Sequence, residues 1–405
     1  MTDIALRKTA AWYDWLTEHS RRIAQVAVGL SLLLAGGYAA VLGGQLRYSD
    51  EHVYFQLTES LAAGHGYAFG ADPTAYRPPG YPFLLLPVHF LTGGSVLAMR
   101  LVGVLCLAGA VWFAYLLARR ISPLAGALVA VVTAVYPLFI YTANALYPQI
   151  PALLLLLMTL EFGLRARDRW TWAVWSGLAG GFLTITVPSF APTLILVVIF
   201  IGWRARKAAA VLLVAAAVIP GLWCVRNALV MHAFIPVSTN NGVNLLLGNN
   251  PDATGGSGTS VDVSAYENEA KARKLDEVQI DHFYSGKAVD WITEHPGQAA
   301  GLYVSKVANN FTYSDTLKTE GQGASDVLAA LTYYPLLALA VLRVLLWRRF
   351  PLRRLDKLLV WTIVLNVLLL AVFFTRIRFR VPLDSLTIVL AVSTVAVWWD
   401  RRRTA

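Results

Sequence analysis

Apolar runs long enough to cross a bilayer recur along this chain, separated by short polar connectors. A helix of about 20 residues covers the ~30 Å hydrocarbon core, and on that measure about ten spans are expected. They fall near residues 23–42, 95–118, 123–142, 147–164, 170–187, 189–203, 208–225, 327–346, 358–375 and 381–399. The stretch 81–91 is apolar but short and contains Pro82 and Pro87, so it reads as a juxtamembrane or re-entrant segment. The first run is too long for a signal-peptide core and reads as a retained helix. Ahead of it, Ile4, Leu6, Trp12, Trp15 and Leu16 among polar residues predict an interfacial helix.

Lys and Arg set the expected orientation. Arg21-Arg22, Arg119-Arg120, Arg165/Arg167/Arg169, Arg204/Arg206/Lys207, Arg348-Arg349 with Arg353-Arg354, and Arg401 to Arg403 all fall on one side of the ten-span scheme. By the positive-inside rule that side is cytoplasmic, and both termini lie there. Counting 81–91 as a span would throw every later cluster outside. The expected organisation is a cytoplasmic interfacial segment (1–22), a transmembrane module (23–225) with an outer loop at 43–94, an extracytoplasmic loop domain (226–326), and a C-terminal transmembrane module (327–405). Within 226–326, a Gly/Ser/Thr run at 254–260 precedes helical character over 263–293, which Glu294-His295-Pro296-Gly297 ends. Residues 302–311 start another helix. The fold class is all-α and polytopic, with no internal repeat of the kind that marks many transporters.

Composition agrees. Of 405 residues 57% are hydrophobic and 14% charged, which excludes an ordinary soluble domain. The net charge of +10 invites a nucleic-acid partner, but the basic residues sit in clusters between apolar runs, as orientation signals do. No nucleic-acid binding is expected. Cys106 and Cys224 both lie within expected spans, too few for a disulfide framework or a thiol metal site.

The chemistry-bearing residues cluster in the outer connectors. Asp50 and Glu51 directly follow the first span. They suit a general base and a neighbouring orienting or metal-binding group, or equally the acidic N-terminus of a helix over 51–63. Asp50 is the candidate ligand for a divalent metal, though none is required. His52 and His65 lack HxxxH or HExxH spacing and read more simply as surface residues. In Ala75-Tyr76-Arg77-Pro78-Pro79-Gly80-Tyr81-Pro82, three prolines stiffen the backbone and hold Arg77 at the membrane surface, where a guanidinium suits phosphate or snorkels to headgroups. Arg376, Arg378 and Arg380 lie between two spans on the outer side, against the positive-inside trend, and so point to an anionic ligand. Arg380 and Asp384 are spaced to pair across one helical turn. Trp223-Cys-Val-Arg226-Asn227 closes the seventh span. The amide-rich 236–250 stretch that follows suits sugar hydroxyls or turns. Tyr136, Tyr141, Asn144 and Tyr147 read as an aromatic belt.

These fragments occur in a telling order. Asp50-Glu51-x-x-Tyr54, Gly64-His-Gly66-Tyr67 and Arg77-Pro-Pro-Gly-Tyr-Pro82 resemble the first outer loop of GT-C glycosyltransferases, on the branch of bacterial relatives of protein O-mannosyltransferases and the lipid A aminoarabinose transferase. Trp223-x-x-Arg226-Asn227, Ser238-Thr239-Asn240-x-Gly242 to Gly248-Asn249, Glu294-His295-Pro296 and Arg378-Phe379-Arg380-Val381-Pro382 extend the resemblance over most of the chain. It implies a GT-C fold in a bacterial inner membrane, with juxtamembrane helices in the first outer loop and an extracytoplasmic active site. It implies Asp50, with Glu51, as catalytic, and Arg77, Arg378 and Arg380 as ligands of the donor phosphate. Tyr54, His52, Tyr81, Arg226, Asn227 and Arg376 become candidate substrate-binding residues. The implied partners are membrane lipids, a polyprenyl-phosphate-linked sugar and a glycan, lipid or protein acceptor, with inversion at the anomeric carbon. Nucleotide sugars are made inside the cell, so an outward-facing site independently requires a sugar carried across on lipid. The alternatives are a lipid-linked sugar transporter or flippase, and an O-antigen ligase or polymerase.

Overall fold

The computed structural model describes residues 12–202, 205–259, 261–313 and 324–404. The chain is an all-α multi-pass membrane protein. Six described helices are long and apolar enough to cross a membrane: α1 (Ser20–Leu42), α4 (Val96–Ala118), α7 (Gln149–Ala166), α10 (Arg206–Val230), α15 (Ala324–Leu345) and α17 (Val381–Thr404). A seventh span forms if α5 (Pro123–Val135) and α6 (Pro137–Asn144) count together. They meet at a 52° bend, where Pro137 cannot continue the hydrogen-bonded ladder.

The sequence reading expects ten spans, and the remaining three are shorter. Helices α8 (Trp172–Thr186), α9 (Pro192–Gly202) and α16 (Arg354–Leu370) are helical where spans are expected, but have 15, 11 and 17 residues. At 1.5 Å per residue they reach roughly 16–26 Å, less than the hydrocarbon core. A proline sets two of these limits, since Pro188 ends α8 and Pro192 opens α9. The expected interfacial helix is seen from residue 12 to 18, while Ile4 and Leu6 lie outside the described residues.

Two short helices lie in the 43–94 loop, α2 (Ser49–Ala62) and α3 (Gly80–Thr92), the latter covering the proline-bearing 81–91 segment. Between them β1 (Ala68–Phe69) and β2 (Asp72–Pro73) form a minimal hairpin. The 226–326 region supplies α11 (Asn241–Gly248), α12 (Ser264–Ala272), α13 (Glu277–Glu294) and α14 (Pro296–Asn309). The single helix expected over 263–293 is two, because Asp276 caps a fresh start by accepting from Gln279 N at 2.8 Å. The next helix begins at Pro296 rather than 302, since proline is well placed in a first turn.

Helix packing in the bundle depends on small residues. A Cβ on Gly177 would lie 2.4 Å from Leu212 O, and one on Gly181 would lie 2.5 Å from Ala216 O. This four-residue glycine spacing lets α8 and α10 touch backbone to backbone, as membrane helices without a hydrophobic drive between them require. Gly177→Val and Gly181→Val are therefore expected to lower the thermal midpoint of the detergent-purified protein by several degrees. Gly29→Ala, with nothing within 4 Å, should leave it unchanged.

Candidate active site

Three segments far apart in sequence meet at one cavity of about 530 Å³. The first turn of α2 places Asp50 on its rim. The stiff Arg77-Pro-Pro-Gly turn brings Arg77 opposite, and Gly80 lets that turn seat on the end of α8. A Cβ there would lie 2.9 Å from the Ile185 carbonyl. The connector between α16 and α17 adds Arg376 and Arg378. Arg77 Nη2 donates to Asp50 Oδ1 at 2.5 Å, and Arg378 Nη2 donates to Asp50 Oδ2 at 2.6 Å. One carboxylate thus bridges two guanidiniums. Arg378 also lies over the Tyr147 ring at 4.6 Å, and Arg77 over Tyr76 at 5.1 Å.

Charge in this cavity does not balance. Three guanidiniums line it, and Asp50 is the sole carboxylate among the lining residues. Burial pushes the Asp50 carboxyl up, but Arg378 and then Arg77 outweigh it and hold it below the usual carboxylate range. Arg376 makes no contact with Asp50; its Nε donates to Ser257 O at 2.9 Å. Burial first, and then the Arg378 charge, push Arg376 down to about 10. An anion would offset the excess of positive charge. A divalent cation would not, because both oxygens of its one carboxylate ligand are already held by cations. No group of three or more His, Cys, Asp or Glu forms among the described residues, so a cation held by side chains alone has no cage here.

The other expected site residues divide. Tyr54 lines the cavity and stacks edge-on against buried Tyr81, which does not line it. His52 is exposed and away from the lining. Glu51 points inward and is fully buried. It accepts from Arg47 N at 2.6 Å, Leu146 N at 2.9 Å and Arg100 Nη1 at 3.1 Å. Arg100 also donates to the carbonyls of Gly43, Gln45 and Asn144, so the pair ties α2 to α4 and α6. Arg380 is buried away from the cavity, donating to Asn310 O and Thr312 O and lying over Tyr313 and Tyr333. Its Nε is 3.6 Å from Asp384, the expected one-turn pair. Arg226 donates to Thr74 O and Tyr67 O, and Asn227 to Ile235 O, which fixes the hairpin to α10. The sequence reading missed Arg100 and Gln149. An arginine inside an apolar span, one turn from its start, was the available signal for Arg100.

Residues 76–229 match the family model described as dolichyl-phosphate-mannose-protein mannosyltransferase. No curated protein matches the chain. Among solved structures, the apo oligosaccharyltransferase of Archaeoglobus fulgidus superposes with a TM-score of 0.56 at 15% identity, covering 94% of this chain and 51% of that one. The same enzyme tethered to an acceptor peptide gives 0.55 at 16%, covering 96% and 50%. ArnT from Cupriavidus metallidurans in the apo state aligns over 96% of this chain and 78% of its own at 15% identity, with a TM-score of 0.40. The chain thus spans about half the length of the archaeal oligosaccharyltransferase. It has the GT-C fold.

The two adjacent carboxylates should respond differently to mutation. Arg100→Met strands Glu51 as an unpaired buried charge and is expected to cost about 3–5 kcal/mol, read as a collapse of thermal midpoint and yield. Asp50→Asn keeps an amide oxygen beside the guanidiniums at a cavity rim, so it should lower the midpoint by less than Arg100→Met does. Because the folded Asp50 pKa is depressed, its share of stability is complete above the ordinary carboxylate range and is lost as pH falls through the folded value. Midpoints of wild type and Asp50→Asn should run parallel above about pH 5 and converge in acid.

Proposed function

We propose that this protein transfers a sugar from a polyprenyl-phosphate carrier to a glycan, lipid or protein acceptor at the extracytoplasmic face of a bacterial inner membrane. The observation that carries this reading is the Asp50 bridge between Arg77 and Arg378, at the rim of a cavity walled by Leu369, Leu370 and Phe373. Guanidiniums suit the phosphate and apolar walls suit its chain. The archaeal oligosaccharyltransferase that shares the fold was solved with a dolichol-phosphate, which supports the same class of carrier here.

The proposed reaction follows from charge. A donor phosphodiester competes with Asp50 for Arg77 and Arg378 and takes over their hydrogen bonds. Asp50, then released in a partly desolvated pocket, regains basicity and can accept the acceptor's proton. The acceptor oxygen bonds to the anomeric carbon from the face opposite the phosphate. The sugar–phosphate C–O bond breaks, and the phosphate leaves with the electron pair, its added charge met by the arginines. Configuration inverts. Glu51 and Arg380 hold the frame on this reading rather than touch substrate.

A transporter would use the same arginine pair without a base. Purified protein given radiolabelled polyprenyl-phosphate sugar and a membrane acceptor fraction separates the two. Wild type should move label covalently to the acceptor. Asp50→Asn should cut that rate about 10²-fold or more, and Arg378→Ala should weaken donor binding about 10- to 100-fold. Undiminished transfer by Asp50→Asn removes it as the base, and label crossing vesicles unattached would favour transport.

A further inference from the structure

The same cavity carries a second set of polar groups, and these are neutral. Gln149, the first residue of α7, lines the cavity, is 6% exposed, and leaves its Oε1 without a hydrogen-bond partner. It follows Tyr147, whose ring lies beneath Arg378, so it sits beside the phosphate-facing arginine. From the 226–326 region, the stretch leading into α11 and its first turn present Asn240, Asn241 and Asn244 to the same space. The side chains of Asn240 and Asn241 are engaged locally, the first accepting from Ser238 Oγ and the second donating to Ser238 O. The Asn244 side chain makes no hydrogen bond among the described residues.

These amides are held in place. Gly242 N donates to Asp281 Oδ1 at 2.6 Å, and a Cβ on Gly242 would lie 2.1 Å from the Asp281 carbonyl. At the other end, Gly248 packs as closely on the Phe373 carbonyl. Buried Lys306 donates to Gly248 O and Asn249 Oδ1, both at 3.1 Å. The buried Gln149 Oε1 is costly to leave without a partner, and the part-exposed Asn244 carboxamide lines the same cavity.

Carboxamides donate and accept without charge, as sugar hydroxyls do. An ammonium group here would face Arg77, Arg376 and Arg378, with the sole lining carboxylate already shared between two of them. We infer that Gln149 and Asn244 read the hydroxyls of the transferred sugar, and that this sugar is neutral and polyhydroxylated rather than amine-bearing. The inference rests on the transferase reading above.

Binding to nanodisc-embedded protein tests it with three synthetic lipids: undecaprenyl phosphate, its mannosyl ester and its amino-sugar ester. Wild type should prefer the mannosyl ester over the amino-sugar ester by about tenfold or more. Gln149→Leu and Asn244→Leu should each reduce mannosyl-ester affinity about tenfold while leaving bare undecaprenyl phosphate binding unchanged, which also reports that they fold. Gln149→Glu should shift preference toward the amino sugar. Equal or tighter binding of the amino-sugar ester by wild type overturns the inference, as does an undiminished mannosyl preference in both leucine variants. Failure of wild type to bind any of the three lipids instead overturns the transferase reading beneath it.

Discussion

One carboxylate shared by two guanidiniums is the contact around which the outer face is arranged. Asp50 receives Arg77 and Arg378 from segments 27 and 328 residues away, and both partners come from connectors rather than spans. Removing three guanidiniums and one carboxylate from bulk water is expensive, and their mutual attraction does not balance an excess of positive charge. The fold tolerates this excess because Arg376 and Arg378 also hydrogen-bond or stack locally, on Ser257 O, Phe374 and Tyr147. Such an imbalance suits the anionic donor proposed above.

The frame around that site is made of groups that do no chemistry. Glu277 in the first turn of α13 accepts from Thr74 Oγ1, Ala75 N and Thr239 Oγ1, joining the first outer loop to the 226–326 region. Thr239 N also donates to Ala75 O at 3.0 Å. These bonds fix the residues just before Arg77, so the position of that guanidinium depends on a region more than 200 residues downstream. Lys306 works the same way at the opposite lip, bridging α11 to the Val372 carbonyl just ahead of the arginine connector. Burial pushes its amine down to about 8, consistent with a donor satisfied by carbonyls and lacking an anionic partner.

Much of this was legible in the sequence because its signals are local. Helical spans follow from apolar run length, and the outward arginines stand out against the positive-inside trend. The stiff Arg77-Pro-Pro-Gly turn declares itself by composition. What was not legible depends on direction. Nothing in the spacing of Arg376, Arg378 and Arg380 says that the segment is a 3₁₀ turn rather than extended, yet that turn sends Arg380 into the core while its neighbours face the cavity. Arg226 and Asn227 look like binding residues in sequence, but each donates to backbone carbonyls, Arg226 to those of a distant loop and Asn227 to that of Ile235 just beyond its own helix. Gln149 gave no signal at all, since one amide at the start of a span is unremarkable until its surroundings are known.

Accessibility, more than residue type, separates the cavity-facing carboxylate from the buried ones. Asp50, Glu51 and Asp356 each pair with arginine at 2.5–3.1 Å. Asp356 and Arg343 are 1% and 2% exposed, and Glu51 and Arg100 are 0% and 1%. Asp50 retains 15%, with 19% on Arg77 and 15% on Arg378. Adjacent residues on a helix point about 100° apart, so the α2 N-terminus sends one acid into the bundle and the other to the cavity. The inward acid satisfies Arg47 N, Tyr48 N and Leu146 N and thereby fixes the pitch of the turn on which Asp50 rides. The paired acids therefore sit in two different settings, and the exposure and exchangeable partners of the cavity-facing one are what the proton transfer proposed above requires.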